Sequence, residues 1–125
     1  MHSGGIQTFH LLNDLGNINI ERCKILYPKI ENSSTAYELF AEHRSRASRY
    51  FERSIEQNNN QLRAYYNLAW LDIRPVHKTH KEDIHLAINR LKDGLTHCNW
   101  EMKPVDEFTC NAQYNLACYL GKLLQ

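Results

Sequence analysis

A short internal echo constrains this chain more than any other feature. Ala64-Tyr65-Tyr66-Asn67-Leu68-Ala69 returns 48 residues later as Ala112-Gln113-Tyr114-Asn115-Leu116-Ala117. A fainter third copy is Leu12-Asn13-Asp14-Leu15-Gly16, where Leu15-Gly16 takes the place of Leu68-Ala69 and Leu116-Ala117. Self-similarity of this kind belongs to chains in which one supersecondary unit recurs and copies stack to share a core. No stretch alternates apolar and polar residues between turn signals, so no sheet is expected.

The unit is helical. Thr35-Ala36-Tyr37-Glu38 and Thr79-His80-Lys81-Glu82 have the spacing of capping boxes, in which a hydroxyl and a Glu three residues on satisfy orphan amides. Each opens a 3.6-residue apolar period: Phe40, Ala47, Tyr50, Phe51 and Ile55, completed by His43 and Ser54, after the first, and Ile84, Ala87, Ile88, Leu91 and Leu95 after the second. Between them a helix from about 60 to 73 is apolar on two faces and ends before Pro75, which cannot continue it. A second two-faced helix runs from about 106 to 124, with Phe108, Ala112, Leu116, Tyr119, Leu120 and Leu123 on one side and Tyr114, Ala117, Cys118 and Leu124 on another. Phe9, Leu12, Leu15, Ile18, Cys23 and Leu26 support one or two helical segments before Pro28, with Gly16 weakening the middle.

These signatures resemble tetratricopeptide repeats, 34-residue helix-turn-helix units carrying aromatic-x-x-Leu-Gly/Ala on the first helix and Ala-x-x-x-Phe on the second. Tyr65-Tyr66-Asn67-Leu68-Ala69 fits the first pattern, Ala47-Ser48-Arg49-Tyr50-Phe51 the second, and Ala87-Ile88-Asn89-Arg90-Leu91 the second with Leu for the aromatic. Ala47 precedes Leu68 by 21 residues, the family interval, whereas Leu68 to Ala87 and Ala87 to Leu116 are longer. The excess falls in Arg74-Pro75-Val76-His77-Lys78-Thr79 and Cys98-Asn99-Trp100-Glu101-Met102-Lys103-Pro104, which read as enlarged turns. The resemblance covers about 35–124. It implies an all-α, right-handed solenoid of about five antiparallel helices, with residues 1–34 as an N-terminal helical segment, a degenerate first repeat helix, and 35–125 as the repeat domain.

Composition excludes several functions. A 42% hydrophobic, 23% charged chain of 125 residues with 5 Gly and 3 Pro is an ordinary single globular domain. A net charge of +1 supplies no field for nucleic acid or an anionic membrane. No apolar run reaches the length of a membrane span, and no basic-then-apolar leader follows Met1, so a cytoplasmic setting is expected. Cys23, Cys98, Cys110 and Cys118 form no Cys-x-x-Cys pair and read as reduced, packed thiols.

The resemblance implies a non-catalytic scaffold or adaptor that holds a protein or peptide segment in a groove lined by first helices. By register, Asn17, Arg63, Tyr66, Asn67 and Asn115 face that groove, where amides and a guanidinium suit a peptide backbone or terminal carboxylate. The family's full basic clamp is unmatched. The end helix offers a second route: a two-faced terminal helix lacks a neighbour, so Tyr119, Leu120, Leu123 and Leu124 would pair with a second copy or with further chain. The competing reading is a metal-responsive domain using His77, His80 and His85, near Glu82 and Asp83. Glu82-Asp83-Ile84-His85 has the Glu-x-x-His pattern of di-iron bundles, but its required second copy is missing, and a capped loop is the simpler account. Arg44, Arg46, Arg49 and Arg53 are interleaved with Glu42, Glu52 and Glu56, the pattern of a salt-bridged solvent face. No nucleophile, phosphate loop or cofactor motif occurs, so neither enzyme, nor cofactor, nor small-molecule substrate is expected.

Overall fold

The computed structural model describes residues 8–74, 79–98 and 107–124, the side chains of 107–109 excepted. Five α-helices carry them: α1 Thr8–Leu26, α2 Ser34–Gln57, α3 Leu62–Asp72, α4 Lys81–His97 and α5 Glu107–Leu123. No strand occurs among the described residues, so the all-α expectation holds. The enlarged turns expected around Pro75 and Pro104 lie largely outside the described residues. The chain divides into two compact units, residues 1–57 and 58–125. The division comes one helix later than the boundary suggested at 34 and 35, because α2 shares its core with α1.

In the first unit α1 and α2 form an antiparallel hairpin. Its buried ladder is Leu12, Gly16, Ile20 and Cys23 on α1 against Ala36, Phe40, Ala47, Phe51 and Ser54 on α2. Phe40 and Phe51 are wholly enclosed, and each such aromatic contributes about 1.5–3 kcal/mol. Gly16 does not interrupt α1; it lets the Phe51 ring close on the helix, since a Cβ there would stand 2.7 Å from Phe51 Cε1. The inaccessible Ser54 hydroxyl donates to the Phe9 carbonyl at 3.0 Å, as a buried hydroxyl must. The helices are joined by a 3-10 turn at Tyr27–Lys29, with Pro28 near its start and Tyr27 against Phe40 at 5.3 Å between ring centroids.

The cap of α2 is Ser33, not Thr35: Ser33 Oγ accepts the Ala36 amide at 3.1 Å and the Ser33 carbonyl takes the Tyr37 amide. The α4 box is shifted too, by one residue, with the His80 amide donating to Asp83 Oδ2 at 2.8 Å while Thr79 Oγ1 donates to the Ile73 carbonyl. Both sequences hold several capping residues in a row, and spacing alone does not choose among them.

Cys23 is completely buried in the first hairpin. Burial pushes its thiol up from 9.0 to about 11, opposed by the charge of Arg44. A thiol held neutral by folding stabilises the native state fully below pH 9, and that contribution is lost as pH rises through about 11. Urea unfolding of wild type across this window is expected to show an alkaline loss of roughly 2 kcal/mol that Cys23→Ala lacks; parallel pH profiles for the two proteins would contradict it.

In the second unit α3 and α4 form another antiparallel hairpin. Ala69, Ile84, Ala87, Ile88 and Leu91 make its core, completed by Ala112 and Tyr119 of α5. Helix α3 buries seven of its eleven residues, which agrees with its two-faced pattern. Gly94 repeats the role of Gly16: a Cβ there would lie 2.8 Å from Tyr65 Cβ and 3.0 Å from Leu62 Cδ1. Asp72, at the C-terminal end of α3, is 5% exposed and accepts from Arg90 Nε of α4 at 3.1 Å.

Candidate functional site

Helix α5 docks by one stripe and presents another. Ala112, Leu116, Tyr119 and Leu123 recur at helical spacing and pack on the core of the second unit. Burial pushes the Tyr119 hydroxyl up, while Arg74, which hydrogen-bonds it, pulls the other way. Arg74 is itself fixed, its Nη1 donating to the Trp70 carbonyl at 3.1 Å and its guanidinium lying 4.0 Å from the Trp70 ring centroid. Tyr119 and Leu123, expected on a self-association face, are thus turned inward, Tyr119 as part of the core and Leu123 packed against it.

The opposite stripe is Cys110, Gln113, Tyr114, Ala117, Leu120, Gly121 and Leu124, all exposed and none charged. Tyr114 is 70% and Leu124 89% accessible. A Cβ on Gly121 would meet nothing within 4 Å. Ala117 and Gly121 are the small residues of this face, between Tyr114 and Leu120 around the helix, and small residues let a second helix approach closely. Cys110 and Cys118 stand on or beside this face, so the expectation of four packed thiols holds only for Cys23 and Cys98.

Of the groove residues, Asn17 stands in the first unit and Arg63, Tyr66, Asn67 and Asn115 in the second. Arg63 is exposed, Asn115 is half-buried on α5 and Asn67 is buried. Tyr66 packs with Leu116 against the core. No family model, curated protein or solved structure matches the chain. The weighing of surfaces therefore rests on their own chemistry. His80 is taken up with the start of α4 and His85 is exposed on the same helix, while His77 lies outside the described residues. Among the described residues no three His, Cys, Asp or Glu side chains gather around a point. A cleft of about 220 Å³ is bordered, among the described residues, by Ile73, Thr79, Ile84 and Lys122. On α2, Arg46 pairs with Glu42 along the solvent face, in keeping with the salt-bridged reading. No described helix is long and apolar enough to cross a membrane.

Sequence reasoning missed two features. One is the Asp72–Arg90 pair across α3 and α4, which has no local signature because its members lie in different helices. The other is a second stripe on α1, Leu11, Ile18 and Ile25, all exposed. Its signal was present as a seven-residue spacing, but the apolar set Phe9, Leu12, Leu15 and Ile18 absorbed Ile18 into the core face.

Proposed function

We propose that this chain is a non-catalytic protein-binding module of tetratricopeptide-like construction, working in the cytoplasm, and that the outward face of α5 seats an apolar helical segment of a partner protein. The observation that carries the reading is the uncharged, exposed stripe through Tyr114, Ala117, Leu120, Gly121 and Leu124 on a helix whose other side is already docked. Contiguous apolar surface without charge is what interface cores share. The repeat-like construction is supported by the way the two hairpins echo one another. In each, a small residue of the first helix meets the second-helix position four residues beyond Ala47 or Ala87: Gly16 touches Phe51, and Ala69 shares a cluster with Leu91. Close approach through a small residue is how such helix pairs stack.

Peptide display on wild-type protein, with binders re-measured on Leu120→Arg, tests the face directly. A charge on the flank of this face is expected to weaken the selected helical peptides about 30-fold, with the circular dichroism unchanged because Leu120 is exposed. Binders indifferent to Leu120→Arg but lost on Arg63→Glu would move the site to the groove side of α3. A wild-type mass of two chains that falls to one on Leu120→Arg would make the partner another copy.

A further inference from the structure

We infer that the outward face of α5 takes a helix patterned like α4, supplied by a partner protein and lying antiparallel to α5, with an apolar residue where α4 carries Arg90. This rests on the reading of the α5 face proposed above and names what would fill it. The internal echo, carried into three dimensions, is the ground for it. Ala64, Tyr66, Asn67, Leu68 and Ala69 of α3 recur as Ala112, Tyr114, Asn115, Leu116 and Ala117 of α5, so each position of α3 has a counterpart on α5. On one side of α3, Ala64, Leu68 and Leu71 are buried, and their counterparts Ala112, Leu116 and Tyr119 are residues by which α5 docks. The other side of α3 is covered by α4: Leu62 and Tyr65 stand against Gly94, Ala69 shares a cluster with Ile88 and Leu91, and Asp72 accepts from Arg90 at 3.1 Å. The counterparts of Leu62, Tyr65, Ala69 and Asp72 are Cys110, Gln113, Ala117 and Leu120, all four exposed.

The same two-sided helix thus occurs twice, with both sides occupied in α3 and one in α5, and the element that covers α3 describes the one that fits α5. Gly94 meets Tyr65 near the start of α3 while Arg90 meets Asp72 at its end, so α4 runs antiparallel to α3. The incoming helix takes the same direction and register on α5. Helices approach where facing residues are small: Ala69 and Ala87 lie together in the α3–α4 core, and Ala117 keeps the first of the two. Gly121 stands in the place of Ile73, with nothing within 4 Å of where its Cβ would be, so the backbone of α5 is open there as well. Leu120 in the place of Asp72 sets the difference between the two sites. A guanidinium laid on Leu120 would lose water without gaining a carboxylate, whereas an aliphatic side chain there would bury apolar surface. The partner helix therefore has the pattern of Ile84, Ala87, Ile88 and Leu91, with a further apolar residue immediately before the last.

The test is fluorescence anisotropy with two labelled peptides of residues 79–97, one of native sequence and one carrying Arg90→Leu, titrated with the 125-residue chain as wild type, Leu120→Asp and Ala117→Lys. Wild type is expected to bind the Arg90→Leu peptide about 10-fold more tightly than the native one. Leu120→Asp is expected to reverse that preference by about the same factor, since it rebuilds the carboxylate that the arginine meets between α3 and α4. Ala117→Lys is expected to weaken the Arg90→Leu peptide about 10-fold or more. Both substituted positions are exposed, so the circular dichroism of the protein is expected to stay unchanged. A preference that does not reverse overturns the register, and undiminished binding to Ala117→Lys overturns the placement on α5. If neither peptide binds while display-selected helices still lose affinity on Leu120→Arg, the α5 face stands as a docking site and the α4-like occupant is overturned. If those helices are also indifferent to Leu120→Arg, the reading of the face falls with it.

Discussion

Arg90→Met is expected to lower the unfolding free energy by about 3 kcal/mol. The guanidinium is the cation that Asp72 meets between α3 and α4, and Asp72 is almost inaccessible to water. Removing it leaves a carboxylate in low dielectric at the C-terminal end of α3, where the helix dipole also opposes negative charge. The loss is therefore much larger than the half to one kcal/mol of an exposed pair. Asp72→Asn combined with Arg90→Met removes both charges and is expected to recover most of the stability, because the Coulomb attraction in wild type is largely offset by the desolvation of both ions. Chemical denaturation of the three variants measures this. A loss in Arg90→Met of less than about 1 kcal/mol would mean that water reaches Asp72.

Gly16→Leu is expected to cost about 3 kcal/mol or more. A Cβ at this position would stand 2.7, 2.8 and 3.0 Å from three carbons of the Phe51 ring, which is 1% exposed and has nowhere to turn. The gain of roughly 1 kcal/mol in helix propensity on replacing glycine is too small to offset such a clash. Gly16→Ala sets the two effects against each other and should be mildly destabilising. Trimming the obstacle tests the cause: Phe51→Leu with Gly16→Leu is expected to be less damaging than the sum of the two single changes, a coupling that a double-mutant cycle reads directly. Additive losses would show that the ring does not set the limit at Gly16.

How much of this was legible in the sequence differs by element. Helices α2 and α4 were readable because one apolar period per helix meets one core, and Phe40, Ala47, Phe51 and Ser54, like Ile84, Ala87, Ile88 and Leu91, are buried as their spacing suggested. Their caps were misplaced, by two residues on α2 and by one on α4, because several polar residues stand in a row at each start, Ser33, Ser34 and Thr35 on α2. Helix α1 was read as one or two segments, with Gly16 weakening the middle because propensity counts glycine as a cost, whereas the close approach of Phe51 makes it a requirement. For the candidate site, the sequence marked α5 as two-faced but could not say which face docks. Tyr119 and Leu120 are adjacent, and only the Arg74 hydrogen bond and the packing of Ala112 decide that Tyr119 turns inward. The groove residues Asn17, Arg63, Asn67 and Asn115 came from register with the repeat family alone, and register does not report accessibility, as buried Asn67 shows.

Each compact unit holds one enclosed thiol, Cys23 in the first and Cys98 in the second, where the Cys98 Sγ donates to the Asn59 carbonyl at 3.7 Å. Cys110 and Cys118 are open to solvent and are expected to react first with an alkylating reagent, leaving one protected thiol per unit. The rate at which each is later modified counts the openings of its own hairpin. The two halves of the molecule thus carry separate clocks, and whether they run at one rate or two tells whether the chain unfolds as a single cooperative body or lets go of one hairpin while the other stays closed.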